Sequence, residues 1–166
     1  MRILKKTRKK LSGDMRLDAE TDLAVRSLVA MAVLNKRISI PQIADIYGIR
    51  RHTLAATFAS LVSMDLIQTT RGNMGGTELK IPPEKITLAD IVGTIEPYFK
   101  LAPCFDGYPC RLMPGCMYRT SLGEALEAFH EVLSRKTIKD MAEDPGTRAP
   151  IIAAAKELGL VSEDFQ

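Results

Sequence analysis

Long apolar runs are missing from this 166-residue chain. None approaches the roughly twenty residues that a bilayer-spanning helix requires, so no membrane partner is expected. The N-terminus also lacks the apolar stretch and small-residue cleavage site of a secretory signal, which places the expected location in the cytoplasm. Histidine is scarce: His52 and His130 are the only two, too few and too far apart to suggest an active site. No serine–histidine–aspartate set or paired carboxylates can be assembled. The glycine-rich stretch at residues 72–76 lacks the lysine and hydroxyl residue of a phosphate-binding loop. An enzyme is therefore not expected. What remains is ordinary globular composition, 26% charged and 46% apolar, which argues against disorder.

Cysteine is scarce as well, but not scattered. The only three, Cys104, Cys110 and Cys116, stand at equal intervals within thirteen residues, punctuated by two prolines and two glycines. An odd number of thiols in a turn-rich loop makes poor disulfide arithmetic and good metal-ligand arithmetic. A reducing cytoplasm points the same way. Soft thiolates select zinc, copper(I) or iron–sulfur clusters, and three ligands leave one coordination position open. Three unconnected thiols, or one disulfide plus a spare, are the plainer alternatives.

Charge is uneven. Residues 1–14 hold Arg2, Lys5, Lys6, Arg8, Lys9 and Lys10 against Asp14, a net of +5, so the remainder carries −2 of the chain's +3. Any nucleic-acid surface must come from local clustering or from this extension. The extension reads as a disordered basic arm or as an over-called start, and Met15-Arg16-Leu17 favours the second.

The expected architecture is mainly α, built on a winged helix-turn-helix. Leu23, Ala24, Leu28, Ala30, Met31 and Leu34 recur at helical spacing over residues 21–35. Ser39, with proline in the first turn and Gln42 three residues on, opens a second helix. That helix closes at Gly48. A third follows over residues 51–64, with Leu54, Phe58, Leu61 and Val62 directed inward. Residues 66–71 and 77–81 are strands around a glycine-rich turn. Two short helices around a tight turn, followed by a hairpin, make a winged helix whose second helix reads the major groove. Thr87 and Asp90 open a short helix that Pro97 breaks. After the cysteine loop, residues 118–134 place Leu122, Leu126, Phe129 and Leu133 on one stripe, read as a dimerisation helix. Thr137 and Asp140 cap another. The division is thus an extension (1–14), a DNA-binding unit (15–83), a cluster loop with dimer helix (84–143) and a peripheral tail (144–166), with an alanine-rich helix from Pro150.

Four segments occur in a telling order: Thr-Asp-Leu-Ala-Val-Arg at 21–26, Ile-Ala-Asp-Ile-Tyr-Gly-Ile at 43–49, Arg-Gly-Asn-Met-Gly-Gly at 71–76, and the spaced cysteines. Together they resemble the winged-helix iron–sulfur repressors that include NsrR, RirA and IscR, over about residues 15–143. The resemblance implies a homodimeric bacterial regulator whose cluster state controls its affinity for double-stranded operator DNA. IscR-like members carry histidine where this chain has Arg119. Equal cysteine gaps, and Asp22 where some NsrR proteins take a fourth ligand from the opposite subunit, match the nitric-oxide-sensing NsrR type best. A 4Fe–4S cluster on Cys104, Cys110, Cys116 and Asp22 is the implied cofactor, with zinc the alternative. Asp22 has a plainer reading too, an i,i+4 ion pair with Arg26, and Asp18 and Glu20 are nearby substitutes.

For DNA, Arg50, Arg51, His52 and Thr53 crowd the start of the third helix; arginine can fork onto guanine, and threonine can meet phosphate or a thymine methyl. The family commonly has serine where Arg50 stands. Arginine forfeits that helix cap and adds charge at the positive end of the dipole, a cost that a phosphate would offset. Arg71 fits minor-groove insertion as in the family, while Gly72, Gly75 and Gly76 serve the turn. Competing readings are a RirA-like regulator answering to iron or cluster supply, a zinc-stabilised DNA-binding module, and an iron–sulfur electron-transfer protein that binds no DNA.

Overall fold

A computed structural model describes residues 16–72, 75–96 and 101–166. The expectations for residues 1–14, for Pro97, and for Asn73 and Met74 of the wing turn lie outside these. The architecture is mainly α with a two-stranded antiparallel sheet, as the winged helix-turn-helix reading requires.

The first helix, α1 (Ala19–Leu34), is the hub. Asp18 caps it by accepting from the Glu20 N–H, and Asn35 ends it in the left-handed conformation. Leu23, Ala24, Leu28, Met31, Val33 and Leu34 are all buried, because helices from both halves of the chain close around it. The buried Ser27 hydroxyl is satisfied by donating to the Leu23 carbonyl at 2.7 Å.

Local signals then set the helix-turn-helix. Ser39 and Gln42 form the reciprocal capping box that opens α2 (Ile40–Tyr47), and Gly48, at φ 62°, closes it. Helix α3 (Arg51–Ser63) buries Leu54, Thr57, Phe58 and Leu61 against α1. Val62 is the exception to the expected inward set, at 46% exposed. It directly follows Leu61, so about 100° of helical rotation carries it off the buried stripe.

The wing pairs β1 (Ile67–Thr70) with β2 (Gly76–Leu79) in the register Ile67↔Leu79 and Thr69↔Thr77. A third segment joins it. Ile38 and Thr77 exchange two backbone hydrogen bonds of 2.9 Å, tying the α1–α2 connection to the wing's inner edge. Two further capping boxes, Thr87 with Asp90 and Thr137 with Asp140, open α4 (Leu88–Ile95) and α6 (Ile138–Glu143). Their caps are bridged, since the Leu88 N–H donates to Lys136 and the Ile138 N–H to Ile86, each at 2.9 Å. Between them runs α5 (Met117–Ser134), which packs on α4 but contains no buried residue. Leu122, Leu126 and Leu133 on its stripe are half-buried, and Phe129 is 37% exposed. No helix among the described residues is long and apolar enough to cross a membrane.

The C-terminal segment differs from expectation. Helix α7 spans Pro145–Glu157, so it starts at the Asp144 cap rather than at Pro150, which lies inside it. It is not peripheral: Ile151 and Ala155 are buried in the same core as α1 and α6. Replacing Ile151 with alanine should lower stability by about 2–5 kcal/mol, the cost of emptying a core site. Urea unfolding measures this, and a peripheral tail would give a change within about 0.5 kcal/mol.

Candidate nucleic-acid interface and cysteine pocket

Arg50, Arg51, His52 and Thr53 are brought together at the N-terminus of α3, all four exposed. Arg50 occupies the cap position with extended backbone and no side-chain cap hydrogen bond, so the first amides of α3 keep their positive end open. Arg51 leans back to Asp45 of α2 at 3.5 Å, with the two side chains 65% and 44% exposed. A pair that open to water contributes little to stability.

Across the hairpin, Arg71 and Gly72 are exposed at the end of β1. Gly72 adopts φ 110°, which favours glycine. Gly75 donates its N–H to the Gly72 carbonyl at 2.8 Å, and a Cβ there would fall 2.4 Å from the Thr70 carbonyl oxygen. Any larger residue at 75 would therefore force the turn open. Gly76 backs onto Arg37, whose Cβ lies 3.3 Å from where its own would be.

One cluster at the wing root escaped sequence reasoning. Glu78 accepts from Gln68 Nε2 at 2.9 Å, its cross-strand neighbour, and pairs with Arg37 Nη2 at 3.1 Å. The cross-strand half follows from the hairpin register. The Arg37 half depends on the Ile38–Thr77 bridge, a non-local contact with no local signal.

The cysteine loop enters through a short 3₁₀ turn, Pro103–Asp106, and leaves through Cys116, which is the N-cap residue of α5. All three cysteines carry free thiols, Cys104 and Cys116 half-buried and Cys110 exposed. They line one cavity of about 310 Å³ whose wall is otherwise mostly apolar, including Pro103, Pro109, Leu112 and Met113. Among the described residues no three potential ligands lie close enough to hold a single metal ion, so a metal group requires the loop to draw its thiols together. The donor chemistry nevertheless fits a thiolate-bound group. Arg119, from the first turn of α5, also lines the cavity, and its Nε is buried without a hydrogen-bond partner among the described residues.

Asp22 is not in that cavity. It lies exposed on α1 and pairs with Arg26 at 3.0 Å, the i,i+4 contact. The two substitutes are engaged as well: Asp18 caps α1, and Glu20 accepts from the Ser60 hydroxyl. Arg26 also lies over the Tyr47 ring, 5.8 Å from its centroid, while the Tyr47 hydroxyl donates to the Arg26 carbonyl at 2.9 Å. Burial pushes the Tyr47 hydroxyl up to about 12. A second link runs from the end of α4, where Glu96 accepts from the Thr21 hydroxyl at 2.7 Å, one residue from Asp22. His52 and His130 stay apart. His130, exposed on α5, borders a groove with Val92, Leu126 and Leu133.

The family model described as "Rrf2: Iron-dependent Transcriptional regulator" matches residues 17–144. The chain is 38% identical over 132 residues to Protein aau3 of Rhizobium meliloti (strain 1021), covering 78% of this chain and 86% of the relative. It is 35% identical over 131 residues to the HTH-type transcriptional regulator NsrR of Shouchella clausii (strain KSM-K16), covering 76% of this chain and 88% of that protein. Among solved structures, T. potens IscR superposes with a TM-score of 0.64 at 21% identity, over 78% of this chain and 88% of that one. At that identity the likeness concerns the fold.

The wing-root cluster gives a pH signature. Hydrogen bonds from Arg37 and then Gln68 hold the Glu78 carboxyl below its ordinary value of 4.5. A carboxylate depressed in the native state stabilises fully above its unfolded value, and the contribution is lost as pH falls through the lowered one. The stability gap between wild type and Glu78→Gln, followed by urea unfolding, should hold from neutrality to about 4.5 and close below it. A gap independent of pH would show that the pair contributes nothing.

Proposed function

The chain belongs to the Rrf2 family of transcriptional regulators, and on that premise we propose that it is a homodimeric, cytoplasmic repressor that senses nitric oxide through an iron–sulfur cluster. It is NsrR-like and not an enzyme. In this reading Cys104, Cys110 and Cys116 hold the cluster, and Asp22 of the opposite subunit supplies a fourth, oxygen ligand. The observation that carries it is the convergence of three free thiols on one largely apolar cavity at the foot of α5. When bound, the cluster would supply iron that can react with nitric oxide, and Asp22, a hard carboxylate among soft thiolates, would be the ligand most easily displaced.

The residues of the chain couple that event to DNA. Cys116 is at once a ligand and the N-cap of α5, so release of its thiol frees the start of that helix. The half-buried stripe of Leu122, Leu126 and Leu133 pairs two copies of α5, which fixes the separation of the two reading heads. Asp22 pairs with Arg26 one turn along α1, and Arg26 lies over Tyr47 of α2, so release of Asp22 would act next to the helix-turn-helix. In each head, Arg50, Arg51, His52 and Thr53 enter the major groove, and Arg71 follows the minor groove from the wing. The exposure of all five side chains supports this assignment.

A second reading takes iron supply as the signal. It is favoured by the family description, which names an iron-dependent regulator. Chelation of iron at cellular concentrations would then release DNA without nitric oxide.

Alanine at Cys104, Cys110 or Cys116 should abolish the visible chromophore of protein purified without oxygen. Arg51→Ala and Arg71→Ala should each reduce the salt dependence of operator binding, by roughly 1 in the log–log slope where a phosphate contact is lost. A chromophore that survives all three cysteine changes would overturn the cluster assignment. A colourless, zinc-containing protein that still binds DNA would replace it with a structural metal.

A further inference from the structure

Arg119 is the one basic residue lining the cysteine cavity, and the cluster assignment leaves its role unexplained. Its Nε is buried and donates to nothing among the described residues. A buried N–H without an acceptor is costly, and it is costlier when it belongs to a cation. The orphan is not a loosely placed side chain. Its guanidinium carbon lies 5.1 Å from the centroid of the Phe105 ring, a cation–π contact. Phe105 directly follows Cys104, and Arg119 sits on the helix that Cys116 caps, so this contact joins the two ends of the loop.

The surroundings suit a cation. Three cysteine thiols line the same largely apolar cavity, and a group bound through them as thiolates would bring negative charge into it. The first turn of α5 adds the positive end of a helix dipole, with no acidic residue to offset it and no side-chain cap. A guanidinium and a helix N-terminus bordering the cavity that the three cysteines line form an arrangement complementary to an anionic group.

We propose that Arg119 is the positioning residue of the cysteine pocket: its orphaned Nε–H donates to sulfur of the thiolate-bound group and balances that group's negative charge. This rests on reading the pocket as an iron–sulfur site. Arg119 is not a ligand, since guanidinium has no lone pair to offer at neutral pH. It acts by holding what the cysteines bind, and hydrogen bonds to sulfur together with nearby positive charge make reduction of such a centre easier.

The test compares full-length wild type with Arg119→Met and Arg119→Lys, each as apo-protein and after anaerobic reconstitution with iron and sulfide. Methionine fills similar space without the unpaired donor. Apo Arg119→Met should therefore melt at or above the wild-type temperature. Once reconstituted, it should lose its visible absorbance to an iron chelator roughly 10-fold faster or more, the usual effect of removing an outer partner of a metal site. Arg119→Lys keeps the charge without the planar fork, and its rate should fall between the two. A reduction potential for Arg119→Met below that of wild type would agree. If apo Arg119→Met melts lower and its chromophore is lost at the wild-type rate, Arg119 is a structural latch on Phe105 and the proposal fails alone. If wild type takes up no chromophore, the iron–sulfur reading fails and takes the proposal with it.

Discussion

Burial of α1 on nearly every side is the constraint on which the rest of the structure depends. A helix hydrophobic around most of its circumference cannot face water, so α3, α4, α6 and α7 must all close on it. Three consequences follow. The helix-turn-helix takes a fixed tilt, because α3 is held through Leu54, Phe58 and Leu61. The chain downstream of the cysteine loop is drawn back, because α6 and α7 complete the same core. The surface of α1 left open is on its N-terminal half, where Asp22 and Arg26 lie.

In the proposed function, that arrangement links the sensing and DNA-reading residues through one shared helix. The N-terminal half of α1 touches the end of α4 through Glu96 and Thr21, and touches α2 through Arg26 and Tyr47. The cysteine loop lies after α4 and immediately before α5. A change in the loop therefore has two short physical routes outward, one along α5 and one through the first turn of α1. Neither is stabilised strongly: the Asp22–Arg26 pair is open to water and α5 buries no residue. Weak local stability is what a switching segment needs, since a deeply buried one could not respond to a small change in charge or ligation.

Much of this was legible in the sequence, and the legible parts share a property. Ser39 with Gln42, Thr87 with Asp90, and Thr137 with Asp140 each declare a helix start within four residues. Gly48 declares a stop, and the hairpin shows in its strand residues and glycines. Signals that need partners far along the chain were not legible. The Ile38–Thr77 bridge, the Arg37–Glu78 pair and the burial of Ile151 all depend on tertiary packing. Val62 was misassigned for a related reason, because an apolar residue beside the buried stripe looks the same in sequence as one on it. At the candidate site, spacing singled out the three cysteines as a group. It said nothing of Arg119, whose significance rests on an unpaired buried nitrogen.

The proposed function couples the state of a thiolate-bound centre to the grip of α3 on DNA. The most direct measurement is a stepwise nitric oxide titration of anaerobically purified protein, recording visible absorbance and operator gel shifts from the same samples. The account predicts that the cluster absorbance and the shifted band disappear together, at the same ratio of nitric oxide to protein. An absorbance that collapses while the operator stays bound would contradict it.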